Sequence, residues 1–393
     1  MGKHILILGA GYGGLLTALE ARRLMTADAA RITIVNRHPF HQLITELHQP
    51  AAGRVNEKDV RLPLDKLLKG KRVDVCLGDI ENIELDTHRV HFTGGGFLAY
   101  DYLVVGLGSE TEFFGIPGLK EHSLILKSVD DAKKIRTHIE ENIAAYPSTQ
   151  NAANLTVAVG GAGLTGIELV GELADMMPHL CAKYGVDPSL VKLLSIEAAP
   201  SILPGFPSTL IERAKNSLEA RGVEFVTGVP IVQMETGRAH LKDGRLVETN
   251  TLVWTGGVRG HSVVAGSGLA VDGRGRALVN EYLQSSNHEN VFVVGDSAIV
   301  MGPEGRPYPP TAQLAGQMGT HVGAQLHAMI KHLKMDSFHP HFSGTLASLG
   351  RKDAIGMVGE RKMQIKGKPA SLLKEASKLR YLSQIGALFT RAE

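Results

Sequence analysis

Apolar residues come in two patterns along the chain. Short continuous runs close on glycine, and between them lie longer stretches in which apolar positions recur every three or four residues. Buried strands alternating with amphipathic helices are the expected result, as in a parallel sheet covered by helices. One sequence of events occurs twice. Residues 4–8 run into Gly9, Gly11 and Gly14, then a helical stretch 15–24 and a second strand 31–35. Residues 156–159 run into Gly161, Gly163 and Gly166, then a helical stretch carrying Glu168 and Glu172 and a second strand 191–196. The spacing G-x-G-x-x-G between strand and helix is that of a dinucleotide site: the glycines permit the tight turn, the approach of a pyrophosphate and close helix–strand packing. The helix N-H groups and positive dipole end hold the phosphates. A lone match is a weak signal, but two complete strand–helix–strand units argue for two nucleotides.

Where each second strand ends, a side chain is expected to meet a ribose. That position holds Asn36 in the first unit and Glu197 in the second. An amide can bond ribose hydroxyls without charge, whereas a carboxylate accepts both hydroxyls and repels the extra phosphate of NADP. The longer span from Gly161 to Glu197 is ascribed to an insert at 177–190.

Between the units, 73–77, 88–92, 97–100 and 102–105 read as strands, with a hairpin over 90–100 through Gly94, Gly95 and Gly96. The last strand opens on Gly106 and Gly108, and a domain boundary is expected near 110–120, where Pro117-Gly118 breaks structure. Helices are expected over 129–145 and 208–221. A later strand ends in Trp254, and Gly256 and Gly257 after it suggest backbone approach to a ligand. Residues 291–294 form an apolar strand ending in Gly295-Asp296, and Thr311 precedes a helix with Gln313 and Gln317 on one face. Those amides either hydrogen-bond a carbonyl substrate or form a solvated helix face.

Charge changes the picture at the end of the chain. Ten of the 42 Lys/Arg but four of the 40 Asp/Glu lie beyond residue 350, leaving the body about −4 and the tail about +6. Residues 370–389 space Leu372, Leu373, Ala376, Leu379, Leu382, Ile385, Leu388 and Phe389 at near-helical intervals around Lys374, Lys378 and Arg380. This suits an amphipathic helix on an anionic membrane surface, with docking on the body or a dimer contact as the competing reading. No apolar stretch approaches the roughly 18 residues of a membrane span.

A length of 393 residues suits two or three domains. Cys76 and Cys181 are far apart, which removes a disulfide framework and a Cys-x-x-Cys redox pair and points to a reducing compartment. His38, His41 and His48 share a loop-like segment that reads as lining a cofactor, and no metal site is expected.

With ILGAGYGG, TELHQPAAG, VGGAGLTGIELVGELAD, VWTGGVRG, VFVVGDSA and RPYPPTAQLAGQMG in view, the chain resembles the type II NADH:quinone oxidoreductases, single-subunit non-pumping respiratory dehydrogenases, in the manner of their Gram-positive branch. The resemblance implies two Rossmann-like domains: FAD-binding over 1–115 and 281–345, an inserted NADH-binding domain over 116–280, and a membrane-associating region over 346–393. It implies non-covalent FAD held by Gly9, Gly11, Gly14, Asn36, Gly108, Gly295, Asp296, Ala312 and Gln313. NADH falls to Gly161, Gly163, Gly166, Glu197 and Gly257. Glu168 is implied beside the nicotinamide, ordering it or relaying a proton, and Gln313 with Gln317 at the quinone, for which menaquinone is expected. A peripheral homodimer on the cytoplasmic face of the membrane follows, with no nucleic-acid partner. The chain departs from the family's basic ending at 387–393, which implies a shorter anchor. Two other functions share both glycine motifs: a soluble NADH-dependent reductase of a small electron-transfer protein, which needs no basic tail, and a non-catalytic NADH-sensing protein.

Overall fold

Two separate parallel sheets carry the two glycine motifs. The structure is a computed structural model describing residues 2–302 and 305–388. In the first sheet the strand order is Gln284–Ser285, His288–Val293, Tyr102–Val105, Lys3–Leu8, Ala30–Asn36 and Asp74–Leu77. All neighbours are parallel except the first pair. Val291 stands opposite Leu103, so a late segment of the chain completes the sheet that the N-terminus begins. Ile5 to Leu8 are buried on both faces, which explains an unbroken apolar run in place of alternation.

The second sheet has the order Leu124–Ile125, Thr251–Trp254, Thr156–Gly160, Lys192–Glu197 and Val223–Thr227, parallel throughout. The chain crosses between the sheets twice, through Ser109–Thr111 and Val258–Gly260, and these two crossings pair as an antiparallel ribbon. The ribbon strand Ser109–Thr111 stands at the start of the 110–120 segment. The hairpin appears as Arg89–Phe92 against Phe97–Ala99.

The presumed insert at 177–190 is chiefly helix. The helix after the second glycine turn runs from Leu164 to Tyr184 through Pro178 and ends at Gly185, whose φ of +66° suits a helix terminator.

The helix Tyr12–Leu24 crosses the helix Ala312–Ile330 at very short range. A Cβ on Gly319 would lie 2.1 Å from the Gly13 carbonyl oxygen, and one on Gly323 would lie 2.8 Å from Glu20 Cβ. This packing places the N-terminus of the later helix beside the first glycine turn.

The final unit is an antiparallel sheet of Gly344–Ser348, Ala354–Val358 and Met363–Lys366, followed by the helix Lys368–Gln384. Its orientation divides the apolar and basic positions of 370–388 between an inner and an outer face. Ala370, Lys374, Lys378, Tyr381 and the following Ile385 face the body, while Leu372 (72% exposed), Ala376 and Leu379 form the outer stripe. Two of the three cations expected to flank a membrane face are therefore turned inward, where buried carboxylates receive them. Phe389 and the rest of the 387–393 ending beyond Leu388 lie outside the described residues. Among the described residues no helix is long and apolar enough to cross a membrane.

Candidate active site

A cavity of about 2220 Å³ runs from the first glycine turn, past the start of the second glycine-turn helix, to the C-terminal helix. A drug-sized ligand fills about 300–1,000 Å³, so the space suits more than one ligand.

The two turns are built alike. Gly9 has φ +94° and Gly161 +96°, and a Cβ on Gly14 or Gly166 would lie 1.9 Å from the carbonyl oxygen of Gly9 or Gly161. Gly11, Gly108 and Gly163 have nothing within 4 Å of a Cβ position, which leaves room for ligand phosphates.

The strand-end residues hold these turns from behind. Asn36 Oδ1 accepts the Ala10 N-H at 2.9 Å, and its amide donates to the His38 carbonyl. Glu197 accepts from the Ala162 N-H at 2.6 Å and the Ala199 N-H at 2.8 Å. A carboxylate has about four lone-pair positions, so Glu197 keeps capacity for two ribose hydroxyls.

Asp296 accepts from Ser109 Oγ at 2.8 Å, and Ser109 receives Lys127 Nζ at 2.8 Å. Sequence reading missed Lys127, since a lysine before a helix N-cap carries no signal. It lines the cavity, and burial lowers its pKa against the raising effects of Asp296 and Asp131. The helix Ala312–Ile330 is capped by Thr311 Oγ1 accepting the Leu314 N-H at 3.1 Å, and Ala312 and Gln313 line the cavity at its positive end.

The glycines after Trp254 serve the indole instead of a ligand at one position. A Cβ on Gly256 would lie 2.4 Å from Trp254 Cζ2, and Trp254 Nε1 donates to the Glu112 carbonyl. Gly257 lines the cavity, with Phe114 2.8 Å from its Cβ position.

The two glutamines fasten a loop. Gln317 exchanges both bonds with the His341 main chain, at 2.7 and 2.8 Å. Gln313 Nε2 donates to the His341 carbonyl and to Ser343 Oγ, each at 3.2 Å. One N-H of Gln317 is left for a substrate carbonyl, whereas both of Gln313 are engaged.

Glu168 and the C-terminal helix close the cavity. Glu168 is 9% exposed, receives Lys374 Nζ and the Ser348 N-H, and stands 3.6 Å from His48 Nδ1. Lys378 lies 3.8 Å from Glu46, whose pKa burial raises against the pull of Lys374 and Lys378. His41 Nδ1 donates to the Ala10 carbonyl at 2.7 Å, leaving Nε2 to accept the Tyr381 hydroxyl at 2.9 Å. Burial pushes His41 down to about 4, so the ring is neutral at physiological pH. His38 lines the cavity and stacks on Phe40, 5.1 Å between ring centroids.

A pyridine nucleotide-disulphide oxidoreductase family model matches residues 3–319. The chain is 39% identical over 392 residues to the type II NADH:quinone oxidoreductase of Staphylococcus epidermidis, covering 98% of this chain and 96% of that protein. The chain belongs to the type II NADH:quinone oxidoreductases. A Staphylococcus aureus member is 38% identical over the same shares. In fold, this type II oxidoreductase is similar to the NDH2 of Plasmodium falciparum solved in complex with NADH, with a TM-score of 0.88 at 16% identity, covering 100% of this chain and 99% of that one. It is also similar to the sulfide:quinone oxidoreductase of Aquifex aeolicus, with a TM-score of 0.81 at 22% identity over 98% and 91% of the two chains. As a type II NADH:quinone oxidoreductase it is a flavin-dependent enzyme that takes FAD and NADH. The open glycine cradles and the Asp296–Ser109–Lys127 chain fit the first, and the second glycine turn with Glu197 fits the other.

Proposed function

We propose that the enzyme passes two electrons from NADH through FAD to a membrane quinone, with menaquinone as the acceptor and without proton pumping. The supporting observation is the continuous cavity that reaches the first glycine turn, Glu168 and the inward face of the C-terminal helix. In this assignment 1–115 and 281–345 hold FAD, 116–280 hold NADH, and 346–393 associate with the membrane.

Bound FAD supplies a redox centre that takes a hydride and releases electrons to an acceptor. The chain supplies the rest. Gly9, Gly11, Gly14, Asn36, Gly108, Gly295, Asp296, Ala312 and Gln313 form the flavin cradle. Gly161, Gly163, Gly166, Glu197 and Gly257 orient NADH so that the nicotinamide approaches the flavin on the side of Glu168. The quinone head lies at the C-terminal helix, where Gln317 offers one N-H to its carbonyl. Lys374 holds Glu168 in the wall of the same cavity, placing a proton-carrying group near the head.

The exposed Leu372–Ala376–Leu379 stripe, with Lys368 and Arg380 on the exposed surface of the same helix, is assigned to the cytoplasmic surface of the membrane. The assembly is assigned as a homodimer. NADH oxidation by the purified enzyme should be faster with a soluble menaquinone analogue than with a small iron–sulfur carrier protein. The opposite preference would contradict the proposal.

A further inference from the structure

Glu172 lies one helical turn beyond Glu168 and is 0% exposed, yet it forms part of the wall of a second cavity of about 570 Å³. Side chains four apart on a helix stand about 5–6 Å from one another at Cβ, so the two carboxylates are neighbours. The second cavity lies between the loop carrying Arg54, the helix carrying Glu172 and Asp175, Arg221, and the turn carrying Arg351 and Asp353.

Its three carboxylates differ in one respect. Asp175 is engaged on both oxygens, by Arg221 Nη1 and the Arg351 N-H, each at 2.7 Å. Asp353 receives Arg213 and Ser217. Glu172 Oε1 accepts Arg54 Nη1 at 2.6 Å, but its Oε2 is buried with no partner. A buried carboxylate oxygen left unpaired is costly, and such groups call for an explanation.

The surroundings favour a group that holds a proton. Burial raises the Glu172 pKa and Asp175 adds to this, against the lowering effects of Arg54 and Lys374. Lys374 is the ammonium that also holds Glu168. His48, 3.6 Å from Glu168, has its Nε2 buried without a partner, and burial with the charges of Lys374, Arg54 and Lys378 keeps its ring neutral. Glu46 faces the same cluster and feels the charges of Lys374, Lys378, Glu168 and Glu375. Glu172 thus stands in the wall of the second cavity, and Glu168 with His48 in the wall of the first, one helical turn away.

We infer that Glu172 takes up solvent protons from the second cavity and passes them to Glu168 for delivery to the reduced acceptor. The inference rests on the quinone reading. Reducing a quinone to a quinol takes two electrons and two protons; the hydride of NADH carries two electrons and one proton equivalent, so each turnover draws one proton from solvent. A hydronium ion in the second cavity gives its proton to the Glu172 carboxylate, forming an O-H bond there and leaving water, and that bond breaks as the proton moves across one helical turn to Glu168. The Glu168 O-H then breaks as the quinone oxygen is protonated, and both carboxylates return to their starting state.

The test is Glu172→Gln, whose amide oxygen can still accept the Arg54 bond. Flavin bleaching by NADH and turnover with ferricyanide, which takes electrons without protons, should match wild type. Reoxidation by a soluble quinone at pH 8 should slow by about tenfold or more and lose its pH dependence, with partial rescue by Glu172→Asp. Unchanged quinone kinetics, or equal slowing with ferricyanide, would overturn the relay. Where Glu172→Gln does not retain FAD, Arg54→Gln decides: loss of the cation favours the protonated carboxyl and moves the alkaline limb of the quinone reaction to higher pH, and an unmoved limb overturns the relay. A wild-type enzyme that quinone cannot reoxidise removes the quinone reading itself, whereas a working wild type matched by its variant removes the relay alone.

Discussion

Replacing Gly166 with alanine should weaken NADH and spare FAD, and replacing Gly14 should do the reverse. Each perturbation is one methyl group. At Gly166 it would lie 1.9 Å from the Gly161 oxygen and 2.8 Å from Thr255 Oγ1, and at Gly14 1.9 Å from the Gly9 oxygen. Real contacts of this kind essentially never fall below 3.0 Å, so helix and turn must separate by about 1.1 Å. Neither turn yields readily: the Gly161 N-H is bound to the Ile196 carbonyl at 2.8 Å and the Gly9 N-H to the Val35 carbonyl at 2.7 Å. Overpacking of this kind costs about 1–3 kcal/mol. Expressed as displaced phosphate contacts, that is about 5- to 150-fold in affinity. Flavin content after purification reads the first site. Quenching of Trp254, the chain's only tryptophan, by NADH reads the second. The reasoning fails if Gly166→Ala binds NADH within about twofold of wild type, or if both variants lose the same nucleotide.

Three further outcomes follow from the same geometry. Glu197→Gln should weaken NADH by about tenfold and narrow its advantage over NADPH, measured as the ratio of kcat/KM values; an unchanged ratio would remove Glu197 from nucleotide selection. Lys127→Met should raise the FAD dissociation constant, followed by flavin fluorescence on dilution, because the Ser109–Asp296 chain loses its cation. For His41 the folded pKa, about 4, lies below the ordinary 6.5, so the unfolded chain binds the extra proton first. Its contribution to stability is full above pH 6.5 and is lost as pH falls towards 4, at about 1.4 kcal/mol per pH unit. Buried Glu46 and Glu172 have raised pKa values and oppose this trend. The clean reading is therefore the difference in urea midpoint between wild type and His41→Asn, which keeps a donor for the Ala10 carbonyl; parallel pH profiles would contradict the buried neutral ring.

What could be read from the sequence was local. Both glycine turns, their flanking strands and the 90–100 hairpin depend on residues within about forty positions of each other, and periodicity and turn chemistry specify them. What escaped depends on distant partners. Lys374 reads as a surface cation until Glu168, 206 residues earlier, is placed against it, and Tyr381 finds His41 across 340 residues. The amides of Gln313 and Gln317 look free on a helical wheel, and only the fold shows that they hold the loop at His341. Gly256 reads from the sequence as approaching a ligand, whereas its neighbour is the indole two residues before it. Patterns of apolar and polar positions say which face is buried, not which buried groups meet.

If the proposed route from NADH through FAD to quinone holds, stopped-flow measurement will resolve it into two half-reactions. Mixed anaerobically with NADH, the flavin should bleach rapidly, and a soluble menaquinone analogue added afterwards should restore its colour at a rate comparable with turnover. Rapid bleaching followed by slow recovery with every quinone tried would rule out quinone as the acceptor.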